Sequence, residues 1–142
     1  RSGYMKRLKS QILLMMAIVM VILSSISAFA NDGIAPRWSY LWMISADMNV
    51  TSYNAATVHV EASADPTEAD ELKVTIKLQQ FDGDWKNYKI WTEDVKDDFA
   101  TLKKQTAIPK GYSYQIEVTV KAYKNGKFLE SATETFDYGF YQ

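Results

Sequence analysis

The sequence predicts an all-β fold, a seven-stranded antiparallel β-sandwich, preceded by an N-terminal helical signal peptide. Three observations predict it. Apolar and polar residues alternate with a period of two along most of the chain after residue 37. Turn-forming residues break that alternation at short intervals, at Pro66, Asp82-Gly83, Pro109-Lys110-Gly111 and Asn125-Gly126. After residue 30 no segment of useful length carries a helical apolar stripe; Val95 to Lys104 comes nearest and lacks a sustained one. Short strands between turn signals are the pattern of two stacked sheets.

The leader comes first in the chain. Arg1 to Tyr4 precede the first methionine, Met5, and read as upstream sequence outside the native chain. Lys6, Arg7 and Lys9 then form a positive region, Ile12 to Ile26 is almost wholly apolar, and Ala28-Phe29-Ala30 supplies the small-x-small pattern of a signal-peptidase site. Basic residues stay on the cytoplasmic side while the apolar helix enters the translocon, and the protease pocket admits only small side chains. Cleavage is expected between Ala30 and Asn31. An uncleaved anchor is the alternative, but the apolar run falls short of the roughly 20 residues a bilayer span needs. The expected organisation is signal peptide 1–30, linker 31–37 and sandwich domain 38–142, with export from the cell and no membrane contact except through an uncleaved leader.

The strands follow in order. Trp38, Tyr40, Trp42, Ile44, Ala46, Met48 and Val50 share a parity and are expected to form the core face of the first strand. Val58, Val60 and Ala62 face inward on the second, which turns Thr57, His59 and Glu61 outward. A polar loop, Asp65 to Asp70, leads to the third, where Leu72, Val74, Ile76 and Leu78 oppose Lys73, Thr75, Lys77 and Gln79. Asp82-Gly83-Asp84 turns into a fourth strand, Trp85 to Thr92, and an acidic loop, Asp94 to Asp98, into a fifth, Phe99 to Ile108. The sixth strand alternates most regularly, from Tyr112 to Ala122. Asn125-Gly126 is the dipeptide that accepts positive φ in a two-residue hairpin turn, and Lys127 to Phe136 completes the seventh strand. Asp137 to Gln142 is expected to be a tail.

Composition narrows the functions. The leader holds four of the 16 basic residues (Arg1, Lys6, Arg7, Lys9) and none of the 17 acidic ones, leaving 12 against 17 and a formal charge of −5. That sign opposes nucleic-acid binding, where phosphates call for a basic surface. There is no cysteine, which removes disulfide scaffolds, thiol catalysis and cysteine metal sites together. His59 is the one histidine. A serine-type triad or most metal sites would have to use it, and its place in the middle of a strand reads as a solvent-facing residue. The carboxylates of the two acidic loops lack the spaced Asp/Asn pattern with a central glycine that a calcium loop uses. No catalytic residue, metal or cofactor is expected. Asn49-Val50-Thr51 matches a glycosylation acceptor, and behind a bacterial-looking leader the match is taken as coincidence.

The aromatics are the most informative residues. Trp85 and Trp91 share a parity on the fourth strand, opposite Tyr88 and Ile90. If the Tyr88/Ile90 face is core, both tryptophans stand on the outer face, where they can stack on sugar rings or anchor a protein. If not, they fill the core or cover its edge.

Two resemblances add to this reading. Ile108-Pro109-Lys110-Gly111-Tyr112-Ser113-Tyr114 resembles the approach to strand F of fibronectin type III and immunoglobulin-like domains. The resemblance implies that Tyr114 is a corner tyrosine whose hydroxyl bonds back to backbone near the turn. More widely, Ile34 to Tyr40, Lys77 to Phe81 with Trp85 and Trp91, and Lys110-Gly111-Tyr112 are similar to a family of small exported proteins of Gram-positive bacteria. That family has no assigned activity, so it implies a compartment and a fold only. The expected function is a non-catalytic extracellular binding module for glycan, cell-wall polymer or a cell-surface protein. The alternative is a structural or assembly protein of the cell surface or matrix.

Overall fold

The computed structural model describes residues 38–142. The leader, its cleavage residues Ala28, Ala30 and Asn31, and the linker 31–37 lie outside the described residues. The rest is an antiparallel β-sandwich of seven strands: β1 (Leu41–Val50), β2 (Ala55–Ala64), β3 (Glu71–Phe81), β4 (Trp85–Val95), β5 (Phe99–Ala107), β6 (Tyr112–Lys124) and β7 (Lys127–Tyr141). One sheet has the order β1-β2-β5 and the other β4-β3-β6-β7.

The core lies where the alternation places it. The central strands β2, β3 and β6 each turn an unbroken apolar row inward: Val58, Val60 and Ala62 meet Leu72, Val74, Ile76 and Leu78, and Ile116, Val118 and Val120. Valine and isoleucine dominate because branched side chains pack well on a pleated, half-buried surface. Their partners in sequence point to water, so each sheet has one dry and one wet face.

The turns obey local chemistry. Asn125 and Gly126 take φ of 50° and 78°, and Lys124 pairs directly with Lys127, giving the tight hairpin that a right-twisted strand pair prefers. Asp65 accepts bonds from the Thr67 backbone N–H (2.9 Å) and hydroxyl (2.7 Å), which winds the β2–β3 loop and drops Ala69 into the base of the core. Tyr114 is fully buried, and its hydroxyl donates to the Pro109 carbonyl at 2.6 Å and accepts from Gln80 at 3.1 Å.

Three β-bulges decide what the parity of single residues does not. In β1 the register slips between Leu41 and Met43. Leu41 is buried, and Trp42 stands 62% exposed instead of in the core. The inward placement of Trp42 is therefore corrected, while Trp38 packs partly against the core. In β4 the extra residue is Tyr88, between the Leu78–Lys89 and Gln79–Asn87 pairs. In β7 it is Tyr138, between the Tyr114–Gly139 and Gln115–Asp137 pairs. The expected tail belongs to this strand, which runs to Tyr141 beside β6.

Candidate functional site

The Tyr88 bulge separates the two tryptophans of β4. Beyond it, Trp91 pairs with Ile76, whose side chain is fully buried, and packs against the core. Before it, Trp85 pairs with Phe81, on the opposite face. The two indoles thus lie on different faces of one sheet, and only Trp85 is on the wet side. Tyr88 turns inward at the margin. Its ring meets Tyr114 edge-on at 6.4 Å, and its hydroxyl donates to the Ala107 carbonyl of β5 at 2.9 Å, which ties the two sheets together.

Trp85 has company on the outer face. Following the register across the sheet, Trp85 of β4 stands beside Phe81 of β3, then Ser113 of β6, then Phe140 of β7. Trp85 and Phe81 pack edge to face with centroids 5.2 Å apart. They are 39% and 43% exposed, and Phe140 is 59% exposed. Neighbouring strands lie about 4.8 Å apart, so the row spans roughly 14 Å. Ser113 is the one small residue in it and stands between Phe81 and Phe140.

The next row is polar and uncharged over three strands. Gln115 Nε2 donates to Gln79 Oε1 at 2.7 Å, and Gln79 Nε2 donates to Asn87 Oδ1 at 3.0 Å. An amide has two N–H donors and a two-lone-pair acceptor, so this chain keeps donors and acceptors for a ligand. Asp137 of β7 ends the row beside Gln115. Further along, Lys77 pairs with Glu117 (3.8 Å) and Lys73 with Asp94 (3.9 Å), so these cations are locally balanced. Between those rows, Thr92 bonds to Thr75 (3.3 Å) and Thr119 to Thr133 (2.8 Å).

His59 sits on the wet face of the other sheet, in an open depression with Asp47, Thr57 and Lys103. Its Nδ1 is 3.6 Å from Asp47 Oδ1 and its Nε2 is 3.7 Å from Glu61 Oε1, both beyond hydrogen-bond length. Among the described residues no three His, Cys, Asp or Glu side chains gather to hold a metal ion. Carboxylates in and beside the acidic loops have other partners: Glu71 accepts from Lys96 at 2.6 Å, Glu93 pairs with Lys104, and Asp65 holds its own turn.

Sequence reasoning singled out Trp85 and missed its neighbours. Phe81 continues the outward parity of Lys77 and Gln79, so that signal was present. Phe140 was hidden, because without the Tyr138 bulge it would share the inward parity of Phe136.

No protein-family model matches the chain. No curated protein matches it. The resemblance to exported Gram-positive proteins gains no support from these comparisons. Among solved structures, the chain is similar to a calcium-binding mutant of Bacteroides uniformis beta-glucuronidase 2, with a TM-score of 0.41 and 16% identity over 66% of this chain. The match spans 13% of that enzyme's chain.

Proposed function

We propose that the chain is an exported, non-catalytic binding module whose ligand surface is the outer face of the β4-β3-β6-β7 sheet. The observation that carries this reading is the row of exposed aromatics, Trp85, Phe81 and Phe140, set against the hydrogen-bonded amides Asn87, Gln79 and Gln115. Trp85 and Phe81 brace each other as a cross-strand aromatic pair, yet they and Phe140 keep 39%, 43% and 59% of their surface exposed, and rings with polar groups alongside are what a contact surface needs. The leader pattern supports action outside the cell.

The assembly alternative has less support. Strand-by-strand polymerisation needs a flat, unguarded edge. In the larger sheet, edge strand β7 is bulged at Tyr138 and again at Leu129 and turns Glu130 and Glu134 inward, opposite Ala122 and Val118, and edge strand β4 is bulged at Tyr88. Inward charges and bulges are devices that keep an edge single.

The test is binding of the purified full chain to insoluble peptidoglycan, a glycan array and a displayed peptide library. The triple variant Phe81→Ala, Trp85→Ala, Phe140→Ala is compared with Trp42→Ala on the other sheet. Loss in the triple variant with retention in Trp42→Ala is expected. Equal binding by both removes this face from the account.

A further inference from the structure

From the same face we infer the chemical class of the ligand: an uncharged polysaccharide chain lying across the strands, along the aromatic row. This rests on the binding-module reading and deepens it. A sugar ring has a face of C–H groups, weakly positive, that suits the negative face of an aromatic ring. Its rim carries hydroxyls that both donate and accept. The amide row beside the rings offers both functions without net charge.

The charges nearby argue against an anionic polymer. Close to the two rows Lys77 is balanced by Glu117 and Lys86 lies 3.8 Å from Asp82; Lys73 and Lys121 share a more distant row with Asp94, and Lys110 keeps its charge over the Tyr141 ring at the row's end. Asp137, on the amide row itself, would repel carboxylates or phosphates and accept hydrogen bonds from hydroxyls. A protein partner fits less well. A protein hot spot is apolar at its centre and sealed by a surrounding rim, whereas here polar amides adjoin the rings along one side and Ser113 splits them. Among the described residues no further strand pairs with edge strands β4 and β7, so a long chain can cross the face without presenting an end. The row of roughly 14 Å suits several consecutive sugar units better than one. Phe81 and Phe140 flank Ser113, and Trp85 lies beyond Phe81 with its ring inclined at 63° to it.

The full chain is titrated with a neutral β-glucan, a xylan and a galactomannan, with polygalacturonate as the anionic arm and the displayed peptide library as the protein arm. Calorimetry is the readout, supported by Trp85 fluorescence in a variant whose other three tryptophans are replaced by phenylalanine. At least one neutral polymer is expected to bind, with little dependence on salt. Trp85→Ala and the amide variant Gln79→Leu should each weaken it about tenfold, roughly 1.4 kcal/mol. Circular dichroism of each variant separates lost binding from lost fold, and Trp42→Ala should bind as the parent does. Failure of all three neutral polymers overturns the inference, as does salt-sensitive binding of polygalacturonate alone. Peptide binding lost in Trp85→Ala would overturn the polysaccharide and leave the face as the site. Binding of any arm that no variant on this face alters would overturn both.

Discussion

Glu130 accepts the backbone N–H of Leu41 at 2.9 Å, and the same carboxylate takes the N–H groups of Ser39 (2.8 Å) and Tyr40 (3.0 Å). One side chain on β7 therefore fixes the start of β1, which belongs to the opposite sheet. The donors it satisfies have no ladder partner in their own sheet until Leu41 meets Ala64.

Glu130→Ala should cost about 2 kcal/mol in urea unfolding, the range for hydrogen bonds to a charged group. Glu130→Gln keeps one carbonyl acceptor and should cost about half as much. Amide exchange should accelerate at Tyr40 and Leu41 before it does in β3 or β6. Uniform acceleration across both sheets would show that this contact is not local.

The same carboxylate gives the fold an acid limit. Its partial burial pushes the Glu130 carboxyl up, but the N–H groups of Leu41, Ser39 and Tyr40 outweigh that and hold it below the usual carboxylate range. The unfolded chain, with an ordinary Glu near about 4.3, takes up the proton first. The stabilisation is therefore complete above that value and is lost as pH falls through the lower, folded one. The stability gap between the parent and Glu130→Gln should shrink as pH is lowered from 6 to 3. A gap that stays constant would contradict the shift.

How much of this was legible in the sequence depends on the bulges. Leu72 to Leu78 and Tyr114 to Ala122 alternate without interruption, and their faces follow from parity alone. Trp42, Trp91 and Phe140 do not, because each lies at or beyond an inserted residue, and one insertion flips every later side chain. Nothing in Lys86-Asn87-Tyr88-Lys89 announces the insertion. It is favoured by tertiary partners, the Ala107 carbonyl and the Tyr114 ring, that only the fold brings near. The candidate site was half legible for the same reason: Trp85 and Phe81 precede the β4 bulge, and Phe140 follows the one at Tyr138.

Tyr114 tests the turn before β6. Its burial raises the phenol pKa, and the hydrogen bond from Gln80 opposes the rise only in part. Tyr114→Phe keeps the packing and strips the donor from the Pro109 carbonyl and the acceptor from Gln80. A loss of about 1–2 kcal/mol is expected. Tyr114→Ala opens a cavity as well and should cost about 3–5 kcal/mol. Equal losses in the two variants would mean that the hydroxyl, not the ring, carries the residue's whole contribution.

Trp42 separates the bulged from the unbulged β1. Because the indole is mostly in water, Trp42→Ser should change stability by no more than about 0.5 kcal/mol. In single-tryptophan variants, acrylamide should quench Trp42 most and Trp91 least. A strongly protected Trp42, with a stability loss of core size, would restore the unbroken alternation of the first strand.

The edge of the larger sheet gives the last test. β7 is 15 residues long, and an edge of that length invites pairing with another copy unless something opposes it. Glu134 is placed to oppose it: its row on β7 points inward beside Val118, so a second strand docking there would bury a carboxylate without a partner. The parent should stay monomeric by light scattering at millimolar concentration. Glu134→Val removes the charge and adds a branched apolar residue suited to strands, and it should produce concentration-dependent association with the sheet content unchanged. If the parent itself forms ordered oligomers, the edge is built for assembly, and the alternative reading of this protein gains the support it now lacks.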